Sequence, residues 1–316
     1  MSQAMLPILR QSIAALCLAA TAGTAAAATP ATGGQAQVNV AGKVRTYAVH
    51  VPRHAVPAGG FPLVLAFHGG GMQGKAMRRL TQLDRTADAR GFIVVYPDGV
   101  DTHWNDGRST IRNPQDDVAF VAALIERLRQ SHPIDPARIY ATGISNGALF
   151  AERLGCDMAD RIAAIAPVAG TMPAELEAGC RPVRPVAALH INGTADPIMP
   201  FDGGAVADFG GRGEGGQVLS AARTADFWAR ANGCRDAAVT QALPVAAPFD
   251  RTRVRRKDYA GCPAAGVVTQ LTVVGGGHTW PGGPQYARPL IVGLASRQVD
   301  ASALIADFFL SRPTSR

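Results

Sequence analysis

Two kinds of apolar pattern alternate along this chain. Phe61–Phe67 and Phe92–Tyr96 are continuous apolar runs, as expected of strands covered on both faces. Between them Met77, Leu80, Leu83 and Ala87 recur at helical spacing. The pattern over Asp116–Gln130 predicts a second helix. It puts Val118, Val121, Ala122, Ile125 and Leu128 on one face and has an Asp as N-cap. Arg138–Thr142, Ala163–Val168, Val186–Ile191 and Val267–Val274 read as further strands, Leu219–Ala231 and Ser302–Leu310 as further helices. Near the start, Val44–Val51 alternates apolar and polar positions, which predicts an antiparallel edge pair with Gln37–Val40. Strands alternating with helices predict an α/β fold, a mostly parallel, doubly wound sheet with helices on both faces. Gly203–Gly216 breaks the rhythm and reads as a flexible surface loop. No internal repeat or Pro/Ser-rich linker marks a second domain, so 37–316 is expected to be one domain.

The first residues read differently. Arg10 is the only charge before an Ala-rich apolar run near Ser12–Thr21, and small residues at 24–28 offer a cleavage site. Residues 1–28 are therefore expected to be a secretion signal and 29–36 a flexible linker. The run is too short to span a membrane, so no membrane partner is expected after its removal. The formal charge of +7 is carried mostly by scattered Arg. The one basic run, Arg251–Lys257, lacks interleaved aromatics and reads as a solvated hairpin edge, not a nucleic-acid site. Beyond the signal four cysteines remain, Cys156, Cys180, Cys234 and Cys262, and they allow three pairings. Nearest-neighbour pairing closes two modest loops, each worth about 3 kcal/mol in the chain-entropy model. No spacing suits zinc, and no metal or cofactor is expected.

Chemistry enters at Gly143-Ile144-Ser145-Asn146-Gly147, a G-x-S-x-G between a strand-like and a helix-like run. A turn that tight projects a serine hydroxyl from the end of the sheet, and its glycines avoid collision with neighbouring elements. A serine nucleophile needs a base, and the base an orienting acid. In doubly wound hydrolases the order is Ser, acid, His. Of the seven histidines, His190 and His278 alone follow Ser145. His190 lies inside an apolar strand; His278 lies in a glycine-rich loop just past one, which favours it as base. Asp196 in Asn192–Pro197 follows the His190 strand and is the expected acid, ahead of Asp202 and Asp208. The oxyanion needs two donors. One is expected from the Asn146 N–H and the other from the His68-Gly69-Gly70-Gly71 loop, with His68 as its anchor. Gly69–Ala76 is one residue short of a phosphate loop, because Ala76 replaces the required hydroxyl.

These segments resemble the secreted polyhydroxybutyrate depolymerase/feruloyl esterase family. The resemblance is carried by Phe67–Gly70, Gly143–Gly147, Asn192–Pro197 and Gly276–Pro281, and also by Trp104-Asn105-Asp106, Asp116–Phe120, Ala229–Cys234 and Gly261–Pro263. It implies an α/β-hydrolase fold and ester hydrolysis by Ser145, Asp196 and His278. It also implies the N–H groups of Gly70 and Asn146 as oxyanion donors, and a Cys234–Cys262 disulfide. Trp104 and Trp280 are candidates to line the substrate cleft, whereas Asp116 and Asp117 read as helix caps. The expected substrate is a poly(3-hydroxybutyrate)-type polyester or its oligomers. A feruloyl or acetyl-xylan ester is the alternative, and a non-catalytic secreted binder the rival from another class. A separate substrate-binding domain is not visible, which weakens the case for a solid polymer.

Overall fold

The structure is a computed structural model that describes Met1 and residues 35–208 and 214–312. Residues 2–28 of the expected signal segment, residues 29–34 of the expected linker and residues 209–213 of the Gly203–Gly216 loop lie outside the described residues. Gln35 and Ala36, assigned above to the linker, begin the first strand.

In chain order the strands are β1 (Gln35–Val40), β2 (Lys43–His50), β3 (Phe61–Phe67), β4 (Ile93–Pro97), β5 (Ile134–Ile144) and β6 (Ala164–Val168). They continue with β7 (Ala187–Gly193), β8 (Gly204–Ala205), β9 (Gln217–Val218), β10 (Asp236–Ala242), β11 (Arg253–Ala260) and β12 (Val268–Val274). The helices are α1 (Gly74–Thr81), α2 (Leu83–Arg90), α3 (Asp117–Ser131), α4 (Asn146–Asp157), α5 (Ala174–Gly179), α6 (Ala221–Ala231), α7 (Pro289–Val292) and α8 (Ala301–Leu310). Ten strands form one sheet in the order β1-β2-β4-β3-β5-β6-β7-β12-β11-β10. The six from β4 to β12 are parallel, and antiparallel pairs close both ends. This is the mostly parallel sheet the pattern predicts and the α/β-hydrolase arrangement the resemblance implies.

Apolar residues on successive positions of a strand face opposite layers. Phe61, Leu63, Leu65 and Phe67 of β3 join one core with Phe120 and Leu124 of α3, Phe150 and Leu154 of α4, and Trp228 of α6. Val64 and Ala66 join the other with Met77 and Leu80 of α1, Leu83 of α2, and Ile305 and Phe309 of α8. Both faces are thus sealed, and truncating one such residue, Leu65→Ala, should cost about 2–5 kcal/mol. Asp116 caps α3 as expected, its side chain accepting from Ala119 N. Ser220 and Asp300 cap α6 and α8 in the same way.

Three expectations change. The apolar spacing from Met77 to Ala87 belongs to two helices, because Gln82 adopts a left-handed φ of 50° and closes α1 before α2 starts. The Arg251–Lys257 run is not at the edge: β11 lies between β12 and the edge strand β10. β10 itself escapes sequence reading because nearly all its positions are exposed and leave no alternation to see. The described part of the Gly203–Gly216 loop is tied down rather than loose. Its strand β8 pairs with β9 just beyond it, Val206 N donates to Gly216 O, and Ala207 N donates to Ile198 O.

Both expected disulfides are present, Cys156–Cys180 and Cys234–Cys262. Among the described residues no helix is long and apolar enough to cross a membrane.

Candidate active site

The sharp turn between β5 and α4 is built by steric exclusion. A Cβ at Gly143 would stand 2.3 Å from Gly147 O, and one at Gly147 would stand 2.4 Å from both Phe67 O and His68 O. Only hydrogens fit there, so β3, β5 and α4 converge around Ser145. Ser145 carries φ 57° and ψ −127°, a conformation that costs a side-chain-bearing residue about 1–3 kcal/mol. Its N–H donates to Val168 O at 3.1 Å, which ties the strained turn to β6.

The loops following β7 and β12 meet beside it. His278 Nδ1 lies 2.8 Å from Asp196 Oδ2, and both side chains are buried. The other carboxylate oxygen accepts from Ile198 N and Met199 N, each at 2.8 Å. With two backbone donors and the imidazole on it, the carboxylate has little freedom to turn. His278 is fixed through its main chain as well: its N–H donates to Val292 O and its carbonyl accepts from Tyr286 Oη. Since Nδ1 is committed to Asp196, Nε2 is the ring nitrogen left for chemistry. Ser145 and His278 line the same cavity of about 430 Å³.

On the other side of Ser145 the β3 loop holds Gly69, Gly70 and Gly71 against the cavity. Gly71 N donates to Thr102 O and Met72 N to Gly69 O, which fixes the loop on the far side of Gly70. His68 is buried beneath. Its Nδ1 donates to Gly69 O at 2.8 Å and its Nε2 accepts from Gly99 N at 2.9 Å. Burial drives its pKa down to about 4, ahead of smaller effects from Gly69, Asp98, His103 and Arg45. A ring with both nitrogens bonded to backbone and a depressed pKa is an anchor.

Asn146, the residue after Ser145, is clamped by a motif that the sequence displayed without explaining. Its amide accepts from Trp104 N at 2.8 Å and donates to Trp104 O at 2.9 Å and Asp106 Oδ2 at 2.7 Å. Asp106 pairs in turn with Arg108, both fully or nearly buried. Arg108 also donates to Gly215 O in the segment leading into β9. Asp117 does more than begin a helix: it pairs with Arg45 at 2.8 Å and accepts from Asn105 N at 2.8 Å.

The two tryptophans expected in the cleft are elsewhere. Trp104 is 0 % exposed, stacked on Phe150 and edge-on to Phe67, with its Nε1 donating to His68 O. Trp280 is 1 % exposed, and its Nε1 donates to Ser302 Oγ. Both serve as packing, because rings of that size beside the sheet find more contact in the core than at its mouth. The cavity walls are instead Met72, Ile198, Met199, Val206, Tyr286 and Ile291, with His103, Arg108 and Glu214 as polar members. None of these has a motif to mark it in the sequence. His190 is buried 3.2 Å from Glu152, away from the cavity wall. The near-phosphate loop is closed to anions by a carboxylate: Gly74 N, at the start of α1, donates to Asp98 Oδ1 at 2.8 Å.

Residues 45–208 match the model of the Esterase PHB depolymerase family. The chain belongs to that family. As a member it is a carboxylic ester hydrolase of the serine-hydrolase type, and Ser145 and Asp196 fall within the matched span. NocK of Nocardia uniformis subsp. tsuyamanensis, a chain designated an esterase, is 36 % identical over 87 % of this chain and 81 % of its own length. Feruloyl esterase B of Piromyces equi is 30 % identical over 69 % of this chain, which spans 39 % of that protein. The acetyl xylan esterase structure from Aspergillus awamori superposes with a TM-score of 0.55 over 78 % of this chain and 94 % of its own, at 15 % identity. That likeness concerns the fold alone.

Proposed function

We propose that this family member is a secreted serine esterase that hydrolyses small carboxylic esters in two acyl-transfer steps. The observation that carries it is the His278–Asp196 bond beside a strained Ser145 in one cavity. His278 Nε2 takes the Ser145 proton as Oγ attacks the ester carbonyl. Asp196 keeps the other nitrogen protonated and steadies the imidazolium. The N–H groups of Gly70 and Asn146 receive the oxyanion. His278 then gives its proton to the leaving alkoxide, which departs as the alcohol. Water attacks the acyl-enzyme by the same route and releases the acid.

A cavity of about 430 Å³ suits one acyl group with its alcohol, not a polymer surface. Together with the relatives' names, feruloyl esterase B and a bifunctional acetylxylan esterase/xylanase, this favours aryl or acetyl esters of the plant-wall kind. Oligomers of 3-hydroxybutyrate are the second reading, supported by the family's own description. Two disulfides suit an oxidising compartment, which agrees with export by the 1–28 segment. Side-by-side turnover of methyl ferulate and of hydroxybutyrate trimers tests the order. Faster cleavage of the trimers would reverse it.

A further inference from the structure

Two cavities share wall residues beside the Gly69–Gly71 loop. The larger holds Ser145 and His278. The smaller, about 270 Å³, is lined by Asp101, Arg112 and Asn113, and His103 and Glu214 belong to the walls of both. The acyl-transfer chemistry above uses neither of these two side chains. His103 Nδ1 lies 2.9 Å from Asp101 O. A carbonyl oxygen only accepts, so Nδ1 carries a proton, and in the Nδ1–H tautomer Nε2 is the acceptor. The ring is pressed against the oxyanion loop, where a Cβ on Gly70 would stand 2.8 Å from His103 Nε2. The backbone that delivers it is strained: Asp101 and Thr102 have φ values of 50° and 61°.

Glu214 is the other half. Its side chain is 7 % exposed, and its Oε2 accepts from Arg112 N at 2.9 Å and Arg112 Nε at 3.3 Å. Its Oε1 stands 3.9 Å from His103 Nδ1, beyond hydrogen-bond range. An imidazole acceptor and a carboxylate oxygen therefore belong to the wall of the Ser145 cavity, where the one cation among the described residues, Arg108, is already paired with Asp106. Their chemistry suits a ligand group that donates hydrogen bonds.

We propose that His103 and Glu214 form a hydroxyl-recognition subsite, which takes a free O–H of the ester substrate. The proposal rests on the esterase reading and narrows its substrates to esters with a hydroxyl beyond the scissile bond. A phenol on the acyl part and a sugar hydroxyl on the alcohol part offer the same chemistry, and two matched pairs separate them. One pair is methyl 4-hydroxycinnamate against methyl cinnamate; the other is a methyl xyloside monoacetate against cyclohexyl acetate. In one pair kcat/KM for the hydroxylated partner should exceed its counterpart by about tenfold or more. His103→Phe and Glu214→Gln should each cut that ratio by about tenfold, whatever they do to the common rate. Calorimetric titration of Ser145→Ala protein with the same uncleaved pairs should give the same preference as a ratio of Kd values. Equal rates within both pairs, or a preference that survives both substitutions, overturns the subsite. Wild-type protein inert toward p-nitrophenyl butyrate would instead overturn the esterase reading, and the subsite with it.

Discussion

The loops after β3 and β12 each bring a histidine to the edge of the sheet, on opposite sides of the Ser145 strand, and the two rings are held in opposite ways. His68 spends both nitrogens on backbone groups, Gly69 O and Gly99 N. His278 spends one on a carboxylate and faces the cavity that Ser145 lines. A fully bonded ring can only hold a loop in place. A half-bonded ring beside a buried carboxylate can carry a proton, because the imidazolium has a partner waiting. The proposed split between anchor and base rests on the bonding of the second nitrogen, not on distance from the serine.

The most severe test of that contrast removes the group His278 is meant to serve. Ser145→Ala should lower kcat/KM on p-nitrophenyl butyrate by about 10⁴-fold or more; activity within tenfold of wild type would place the nucleophile elsewhere. Asp196→Asn keeps the shape but not the charge, and should lower kcat by about 10³–10⁴-fold with little shift in Tm. A loss of only a few-fold would reduce Asp196 to a cap on the 198–199 turn.

His68 should report through stability instead. Burial holds its ring neutral in the folded protein down to about pH 4, whereas in the unfolded chain it protonates near the ordinary 6.5. Between those values the unfolded chain binds the extra proton, so stability rises with pH across the window and is fully present above it. The loss on going from pH 7 to pH 4 is on the order of 3 kcal/mol. Urea midpoints at several pH values should show His68→Gln less stable at pH 7 but with a flatter acid slope. An unchanged slope would mean that His68 is not the ring that titrates on unfolding. The smallest expected effect is on the Asn146 clamp. Asp106→Asn should cost about tenfold in kcat, with KM nearly unchanged, by loosening the Asn146 N–H. A rise in KM alone would assign Asp106 to binding.

Much of this architecture was legible because burial writes itself into sequence. Continuous apolar runs gave β3, β4 and β7, and the Gly143–Gly147 spacing carried its own steric reason. Chain order narrowed seven histidines to two, and the loop position just past a strand selected His278 over His190. The parts that stayed hidden lack such a signature. β10 has no buried face to alternate, and Gln82 ends a helix by its backbone conformation without disturbing the apolar spacing. Trp104 and Trp280 misled because a loop indole looks the same in sequence whether it faces ligand or core. Only the neighbouring rings of Phe150 and Phe67 decide that for Trp104. His103 and Glu214 stand more than 100 positions apart, and nothing but the folded chain brings them together.

The closeness of Gly147 to the carbonyls of Phe67 and His68 divides the labour within the catalytic edge. The serine turn and the Phe67–His68 backbone abut main chain to main chain, so no rotamer mediates between them. The walls around them run from Met72 to Ile291 and include most of the cavity's apolar residues. A scaffold divided in this way can be re-clothed for another ester by exchanging wall residues, while the reacting atoms keep their spacing.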